Sequence, residues 1–361
     1  NQLNYRLVIV PEQVGDLERS LTALGLLIPI ETHERERILR EAQRKRNFVP
    51  ITVRENLTWE ELSRIEVNAP DLPGTMIDVG QTRHYLAGEE TAHIIGYVGA
   101  VSEKELAGDP VLALPGFRIG KNGAEKTFES ALRGKAGSRQ VEVNAFGRII
   151  RELRRDEGQP GDDHILTIDM GLQEYSNARI SHESAAAVVV DVHSGEVLAL
   201  VSAPSFNPNS FTTGISQTEW NALMANPRFP LINKAVAGQY SPGSTFKPIV
   251  ALAVLDGDIV NPNQKFLCTG YTELGNRRFY CWKRGGHGMM DMNSGIAQSC
   301  DVYFYEVAKR VGVDSIATMA RRFGLGERLG IELPSEQKGL IPTRDWKLAV
   351  HGVPWQKGET L

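Results

Sequence analysis

The first 160 residues of the chain contain short runs in which apolar residues alternate with polar ones or directly follow one another. Such runs are typical of short strands with at least one buried face. Residues 59–65 have the spacing of a short helix, and Thr58 stands where a helix cap is favoured. Residues 32–47 are so rich in charge that we expect a helical arm exposed to solvent. The strands predicted here include residues 6–10, 51–53 and 141–143.

Longer apolar runs dominate the second half of the chain. Residues 185–192 and 196–201 are two such runs, joined by His193, Ser194 and Gly195, and they predict a hairpin of buried strands. Strands followed by helices indicate an α+β layer structure. The other elements predicted in this half are a strand at 164–169 and helices at 171–181, 248–255 and 302–311.

A polar stretch, residues 154–161, separates these two patterns. It combines charged residues with glycine and proline, which are typical of a connection between folded parts. A length of 361 residues exceeds the usual size of one domain. We therefore predict two domains, 1–160 and 161–361. Nothing in the first supplies a nucleophile beside a base, so we interpret it as a structural or docking domain.

The composition is that of an ordinary folded protein, with 41% hydrophobic and 23% charged residues. A net charge of −4 argues against nucleic acid as a partner, because proteins that bind it usually carry a basic surface. No apolar run approaches the roughly 18 residues of a membrane-spanning helix. The chain begins abruptly at Asn1 and ends abruptly at Leu361, so we expect a segment of a longer polypeptide.

Ser244 and Lys247 form the pattern Ser-x-x-Lys at the start of a predicted helix. On a helix, residues three apart are neighbours, so the lysine can reach the serine hydroxyl. A neutral lysine can take the serine proton and activate the oxygen as a nucleophile. The helix that follows is apolar nearly all round, which predicts burial. Polar side chains at the start of a buried helix need partners or a function, and Ser244 is therefore the predicted nucleophile.

The same pattern occurs at Ser335 and Lys338, where no apolar helix follows, and we interpret that match as coincidental. A second motif, Ser299 with Asp301, precedes an aromatic-rich helix. Alone it would be a helix cap. In this order after Ser-x-x-Lys it indicates a shared catalytic site. Three tryptophans could line a peptide cleft, but packing in the core is the default expectation for them: Trp282, Trp346 and Trp355.

Together these motifs resemble those of the class B penicillin-binding proteins, and within them the elongation-specific enzymes. The resemblance covers nearly the whole chain. It implies an α+β fold: a penicillin-binding, serine β-lactamase-like transpeptidase domain, preceded by an elongated, mixed α/β pedestal domain of the dimerisation type. The matching stretches are residues 240–248, 299–305, 166–169, 187–191, 195–199 and 202–209, with 93–99, 132–137 and 142–148 in the first half.

The resemblance implies a role for each matching polar residue. Ser244 would attack the penultimate D-Ala of a peptidoglycan stem peptide, with Lys247 as the general base. Ser299 and Asp301 occupy the family's Ser-x-Asn positions, which shuttle protons and orient the substrate. The acyl-enzyme would then react with an amine of a neighbouring stem to form a cross-link, and β-lactams would trap Ser244.

One motif of the family is missing. Its third signature, Lys-Thr-Gly or Lys-Ser-Gly on a strand beside the cleft, does not follow Ser299, and the nearest approach, Lys135-Ala136-Gly137, precedes the nucleophile. We therefore expect an incomplete transpeptidase domain, truncated before this motif. The segment alone is expected not to be fully active.

The three cysteines of the chain, Cys268, Cys281 and Cys300, lie with His287 in the spacing C-x12-C-x5-H-x12-C. Three thiolates and an imidazole are a sufficient tetrahedral ligand set for structural Zn²⁺. The alternative is a disulfide between Cys268 and Cys281 that leaves Cys300 free. We favour zinc, because a free thiol inside a catalytic motif is awkward and some members of the subgroup carry four metal-binding positions of similar spacing.

The residues and the resemblance leave three functions. The leading one is a serine D,D-transpeptidase that cross-links peptidoglycan during cell elongation. The second is a β-lactam sensor or β-lactamase, which shares the serine-lysine chemistry, and the third is a non-catalytic scaffold that activates a glycan polymerase. The resemblance also implies a RodA-type glycosyltransferase and rod-shape scaffold proteins as partners. It further implies an N-terminal membrane anchor outside this segment and a place on the periplasmic face of the inner membrane.

Overall fold

The fold is that of a computed structural model, which describes residues 1–44, 47, 49–106, 108–114, 116–144 and 149–361. Of the matching stretch 142–148, residues 145–148 lie outside the described residues. Contacts between elements divide the chain into two units. The first is Asn1–Ala235 with Glu332–Pro334, and the second is Val236–Ile331 with Ser335–Leu361. The domain boundary near residue 160 stays a prediction.

The first unit mixes short strands and helices. Its strands are β1 (Gln2–Ile9), β2 (Ile51–Arg54), β3 (Thr75–Thr82), β4 (Val98–Ala100), β5 (Arg118–Gly120), β6 (Ser138–Val143), β7 (Ile149–Asp156), β8 (Ala185–Val190) and β9 (Val197–Ala203). Its helices are α1 (Leu17–Leu27), α2 (Thr32–Arg44), α3 (Trp59–Val67), α4 (Ala92–Ile95), α5 (Gly123–Thr127), α6 (Glu129–Arg133), α7 (Met170–Ile180), α8 (Pro208–Thr213), α9 (Gln217–Ala225) and α10 (Lys234–Ala237), the last of which crosses the boundary. Of the helices in the described ranges, none combines the length and apolar character needed to cross a bilayer.

A three-stranded antiparallel sheet in the order β2-β1-β3 opens the first unit. Leu7 and Ile9 of β1 are fully buried in its core. The helix predicted at 32–47 is confirmed as α2, but its interpretation as a solvated arm is wrong. Ile38 is 0% exposed within the same core, and Arg37 Nη2 donates to the Thr52 carbonyl of β2 at 3.0 Å. Leu39 and Ala42 of the same helix are partly buried against this core, so a short apolar face attaches the charged helix.

The remaining strands of the first unit pair two by two, as β4-β5, β6-β7 and β8-β9. The predicted hairpin at 185–201 is confirmed as β8 and β9, but burial of both strands is wrong. β9 is mostly buried and lies against α7, whereas Val188 and Val190 of β8 are each 47% exposed. The strand predicted at 164–169 is wrong, because its backbone forms no ladder: Asp169 N donates to Leu198 O, and an isolated bond of this kind does not make a strand.

The second unit consists mainly of helices, with four short strands. Its helices are α11 (Lys247–Asp256), α12 (Met292–Ala297), α13 (Asp301–Val311), α14 (Val313–Arg322) and α15 (Arg344–His351), and its strands are β10 (Phe266–Cys268), β11 (Tyr271–Leu274), β12 (Arg277–Tyr280) and β13 (Gly288–Met290). Buried side chains of α11 and α13 share one core, with Val254, Tyr303 and Val307 each 0% exposed. The helices predicted at 248–255 and 302–311 are confirmed as α11 and α13.

Two small antiparallel pairs, β10-β13 and β11-β12, complete this unit. In the second pair Leu274 faces Arg277, so a two-residue turn of Gly275 and Asn276 joins the strands. Gly275 has a φ of +61°, the left-handed conformation that such tight turns need and glycine adopts without strain. The residues that flank these two strand pairs in the sequence lie close together in space. The candidate site is formed by these flanking residues and their neighbours.

Candidate active site

Ser244 lies in a single 3-10 turn, Gly243–Phe246, that runs directly into α11. The backbone N–H of Lys247 donates to the Ser244 carbonyl, so the two residues are one helical turn apart. Gly243, with a φ of +56°, starts the turn in a conformation that disfavours other residues. Ser244 is exposed to solvent, and a substrate can approach its hydroxyl.

Lys247 joins the two predicted motifs. Its Nζ donates to the Ser299 carbonyl at 2.8 Å, to Ser299 Oγ at 3.0 Å and to Asp301 Oδ1 at 2.6 Å. An ammonium group has three N–H donors, and these three bonds employ all of them. The structure therefore brings Lys247, Ser299 and Asp301 together, and places Ser244 one turn away, with no hydrogen bond between Ser244 Oγ and Lys247 Nζ among the described residues. Hydrogen bonds of catalytic groups are often long before substrate binds.

Ser299 lies between α12 and α13, and Asp301 is the first residue of α13. Ser299 has a φ of +50°, a left-handed conformation that is uncommon for a residue other than glycine. The cap of α13 is Cys300, whose side chain makes no capping bond, and Asp301 is already in the first turn. The alternative that this motif is merely a helix cap is therefore wrong. The Asp301 carboxylate faces Lys247 instead.

Trp282 is a residue of this site that the sequence did not single out. It is 64% exposed, so the expectation of core packing is wrong. Its backbone N–H donates to Asp301 Oδ2 at 2.9 Å, and its indole N–H donates to the carbonyls of Gln298 and Ser299, both at 3.2 Å. Its place between the two motifs, immediately after Cys281, was the only signal in the sequence.

The three cysteines and His287 come together beside this loop. Cys268 ends β10, Cys281 follows β12, His287 precedes β13, and Cys300 caps α13. One potential ligand atom from each of the four lies within 4.8 Å of all the others. All three cysteines are free thiols, so the structure does not contain the alternative Cys268–Cys281 disulfide.

The distances in this cluster fit a tetrahedral metal ion. His287 Nδ1 lies 3.6 Å from Cys268 Sγ and 3.5 Å from Cys281 Sγ. In a tetrahedron with Zn–S of about 2.3 Å and Zn–N of about 2.05 Å, sulfur and nitrogen are roughly 3.5 Å apart. Three sulfur donors and one imidazole are also the ligand chemistry that Zn²⁺ prefers in closed structural sites.

The electrostatics of the cluster follow from its burial. Burial raises the pKa of Cys300 to about 12. Burial also acts to raise the pKa of Cys268, but hydrogen bonds from the backbone at His287 and Gly270 bring it below its ordinary value. Burial, followed by the positive charge of Lys283, lowers the pKa of His287, which keeps its ring neutral and able to bind a metal.

The second Ser-x-x-Lys match has no comparable setting. Ser335 has a φ of +72° and lies in an irregular segment without a helix, and Lys338 follows in the same segment. The absence of a following helix, on which the interpretation of this match as coincidental depends, is confirmed.

Two family models match the chain. The model of the penicillin binding protein transpeptidase domain matches residues 185–354. The model of the penicillin-binding protein dimerisation domain matches residues 1–166. The first match contains Ser244, Lys247 and the whole cysteine cluster.

Curated relatives align along the full chain. The peptidoglycan D,D-transpeptidase MrdA of Escherichia coli K12 is 36% identical over 368 residues, which cover 100% of this chain and 58% of the relative. The enzyme of the same name from Haemophilus influenzae is 37% identical over 364 residues, which cover 99% of this chain and 56% of the relative. The chain therefore spans a little over half the length of these relatives.

Solved structures with the same fold are also similar in sequence. A PBP2 from Helicobacter pylori, solved in complex with MreC, aligns with a TM-score of 0.88 at 27% identity, over 100% of this chain and 68% of that one. Pseudomonas aeruginosa PBP2 in complex with WCK 5153 gives a TM-score of 0.67 at 36% identity, over 77% of this chain and 58% of that one. A chain from a peptidoglycan synthase complex that coordinates polymerization and crosslinking aligns with a TM-score of 0.68 at 30% identity, over 99% of this chain and 62% of that one.

Proposed function

The chain belongs to the class B penicillin-binding proteins of the PBP2 type, and on that premise we propose that it carries the acylation site of a serine D,D-transpeptidase that cross-links peptidoglycan in cell elongation. Membership confirms the predicted fold class, a transpeptidase domain preceded by a dimerisation-type domain. The observation that carries the proposal is the hydrogen bond of 3.0 Å between Lys247 Nζ and Ser299 Oγ, one helical turn from Ser244.

The proposed reaction proceeds in two steps. Lys247 acts as the general base once its ammonium group has lost one proton to solvent: Ser244 Oγ attacks the carbonyl carbon of the penultimate D-Ala, its proton passes to Lys247, and the terminal D-Ala leaves as an amine that takes up the proton. An amine of a neighbouring stem then attacks the ester, forms the new amide and returns a proton to Ser244. Ser299, in contact with Lys247, is in a position to relay protons between the lysine and the leaving amine.

A β-lactam would enter the first step only. Its ring amide is attacked by Ser244 Oγ, the C–N bond opens, and the amine stays attached to the acyl group, so it cannot leave to make room for a second amine. A sensor would form the same adduct, a lactamase would hydrolyse it, and a scaffold would form none. The long first domain, residues 1–160, disfavours a sensor or a lactamase, and intact Ser244 and Lys247 argue against a scaffold.

The proposal is tested by incubating the complete gene product with a penicillin and measuring its intact mass. We expect an increase by the mass of the drug that persists and is absent from Ser244→Ala. Release of hydrolysed drug within minutes would favour a lactamase, and the absence of any adduct would favour a scaffold.

We further propose that Cys268, Cys281, His287 and Cys300 hold a structural Zn²⁺. The free thiols, the sulfur–nitrogen distances near 3.5 Å and the neutral imidazole support it. The ion would supply binding energy and no reaction step, since four protein ligands close its coordination sphere. Metal analysis of protein purified without chelator is expected to give about one zinc per chain. No zinc, with a mass two hydrogens below that of the reduced protein, would establish the disulfide instead.

The partners are proposed from the relatives. A PBP2 from Helicobacter pylori is bound to MreC, and a related chain belongs to a peptidoglycan synthase complex. We propose that the whole protein likewise binds a rod-shape scaffold protein and a RodA-type glycosyltransferase, at the periplasmic face of the inner membrane through an N-terminal anchor. Co-purification of the complete gene product with both candidates from the same organism tests this, and fractionation with the cytoplasmic proteins would contradict it.

A further inference from the structure

The Ser299 carbonyl accepts hydrogen bonds from two different side chains of the site. One comes from Lys247 Nζ at 2.8 Å, and the other from the indole N–H of Trp282 at 3.2 Å. The same indole N–H also reaches the carbonyl of Gln298, the residue before. Trp282 therefore binds two consecutive peptide groups of the loop that carries the second motif.

The backbone conformation of this loop needs stabilising contacts. A left-handed backbone at a residue other than glycine costs about 1 kcal/mol or more, and it persists only where the surroundings determine it. Ser299 has such a backbone, with a φ of +50°. Its conformation decides where Oγ points, because the side chain turns with the backbone. The N–H of this peptide, which belongs to Cys300, donates to the Gly295 carbonyl at 2.9 Å, and its carbonyl accepts from Lys247 and from Trp282, so Trp282 supplies one of three bonds to it.

Trp282 also bonds the other member of the motif. Its backbone N–H donates to Asp301 Oδ2, whereas Lys247 donates to Oδ1 of the same carboxylate. The tryptophan and the lysine thus contact the same two residues, Ser299 and Asp301. Trp282 is 64% exposed, so burial in the core does not explain its size.

We propose that Trp282 is a positioning residue for the acylation step. Its indole N–H holds the Ser299 peptide so that Ser299 Oγ stays within 3.0 Å of Lys247 Nζ. It acts through Ser299 and does not itself touch the reacting atoms. This inference rests on the proposed function, since it specifies how the same site is kept in order.

The test uses Trp282→Phe in the complete gene product. Phenylalanine keeps an aromatic ring against His287, which lies 5.2 Å from the indole, but has no N–H. The rate of acylation by a fluorescent penicillin is measured over a range of drug concentrations. This separates the rate constant of the covalent step from the dissociation constant of the complex that precedes it.

We expect the covalent rate constant to fall by about five- to tenfold, the size of effect that the loss of one hydrogen bond holding Ser299 in place can have, with the dissociation constant unchanged. Trp355→Phe is the matched control, because it also removes an indole hydrogen bond, to Thr360 Oγ1 at 2.9 Å, away from the site. An unchanged covalent rate constant in Trp282→Phe would overturn the proposal, and so would a change confined to the dissociation constant.

Melting temperature and zinc content separate positioning from general damage. If Trp282→Phe does not fold, benzothienylalanine at position 282 replaces the N–H with sulfur and keeps the shape of the side chain. A normal covalent rate constant in that protein would likewise overturn the proposal. Failure of the proposed function looks different, since the unaltered protein would then form no adduct at all.

Discussion

Lys247 Nζ lies 2.6 Å from Asp301 Oδ1 and joins the start of α11 to the start of α13 across 54 positions of sequence. The side chains are only 12% and 22% exposed. An exposed ion pair contributes at most about 1 kcal/mol, but removing one partner of a shielded pair leaves the other charge desolvated. This pair therefore fixes where the proposed base lies relative to the second motif.

Lys247→Arg is expected to keep the fold and lose the reaction. An arginine can still pair with Asp301, but a guanidinium group does not give up its proton, so it cannot act as a base. We expect penicillin labelling to slow by at least about 100-fold, with a melting temperature close to that of the unaltered protein. Lys309→Arg, which changes another paired lysine on the neighbouring helix, serves as the control. Labelling of Lys247→Arg at the normal rate would contradict the assignment of the base.

Asp301→Asn and Asp301→Ala are expected to differ. Asparagine keeps an oxygen that can accept from the Trp282 N–H or from Lys247, and it is the residue of the family's usual Ser-x-Asn motif. We expect its labelling rate within about tenfold of normal. Alanine leaves the lysine without its carboxylate, and we expect a loss of about 1–3 kcal/mol in the free energy of unfolding. If the two variants have equal labelling rates and equal free energies of unfolding, Asp301 contributes neither to acylation nor to stability through its bonds to Trp282 and Lys247.

His287→Ala is expected to empty the proposed metal site. Removing one of four ligands opens the coordination sphere, and zinc per chain should fall from about one to near zero. His193→Ala changes an exposed histidine in the β8–β9 turn and should leave the zinc content unchanged. Acidifying the unaltered protein should also release zinc, because protons compete for thiolates and imidazole. Equal zinc in both variants would remove His287 from the ligand set.

His93 is expected to make the stability of the protein fall in mild acid. It is 4% exposed, and its burial, followed by the charge of Lys234, lowers its pKa from 6.5 to about 4. The unfolded chain therefore binds a proton at pH 5 that the folded protein does not, so the free energy of unfolding drops between pH 6.5 and 4. The drop reaches about 2 kcal/mol at pH 5.

His93→Phe isolates this effect. The ring contact with Phe206, at 5.2 Å, can be kept, but the side chain no longer titrates. Urea unfolding at pH 7.5 and pH 5 should show a smaller loss in the variant, by about 2 kcal/mol, than in the unaltered protein. The same loss in both would mean that other groups set the acid sensitivity.

Local patterns predicted the elements that carry the site. The run of apolar residues after Lys247 predicted α11, because this signal lies within a few positions of the sequence. The strand expected at 164–169 failed for the opposite reason. Its residues suit a strand, but whether they pair depends on the neighbouring backbone, which no local pattern records.

The arrangement of the site depends on distant residues, and here sequence alone was insufficient. The spacing of Ser244 and Lys247 suggested a contact between them, but the lysine bonds residues more than 50 positions away. Trp282 could not be found from its surroundings either, since a tryptophan in a strand-rich segment is typical of a core. Its two carbonyl partners are backbone groups, which every residue carries and no motif can mark.

The four residues of the cysteine cluster are separated by only 12, 5 and 12 positions. The entropy lost on closing a loop grows with the logarithm of its length, so loops this short cost comparatively little to close. A chain leaving the ribosome adds about 5–20 residues per second. The whole interval from Cys268 to Cys300 therefore emerges within seconds, and its ligands can meet during synthesis, ahead of the slower pairing of distant strands.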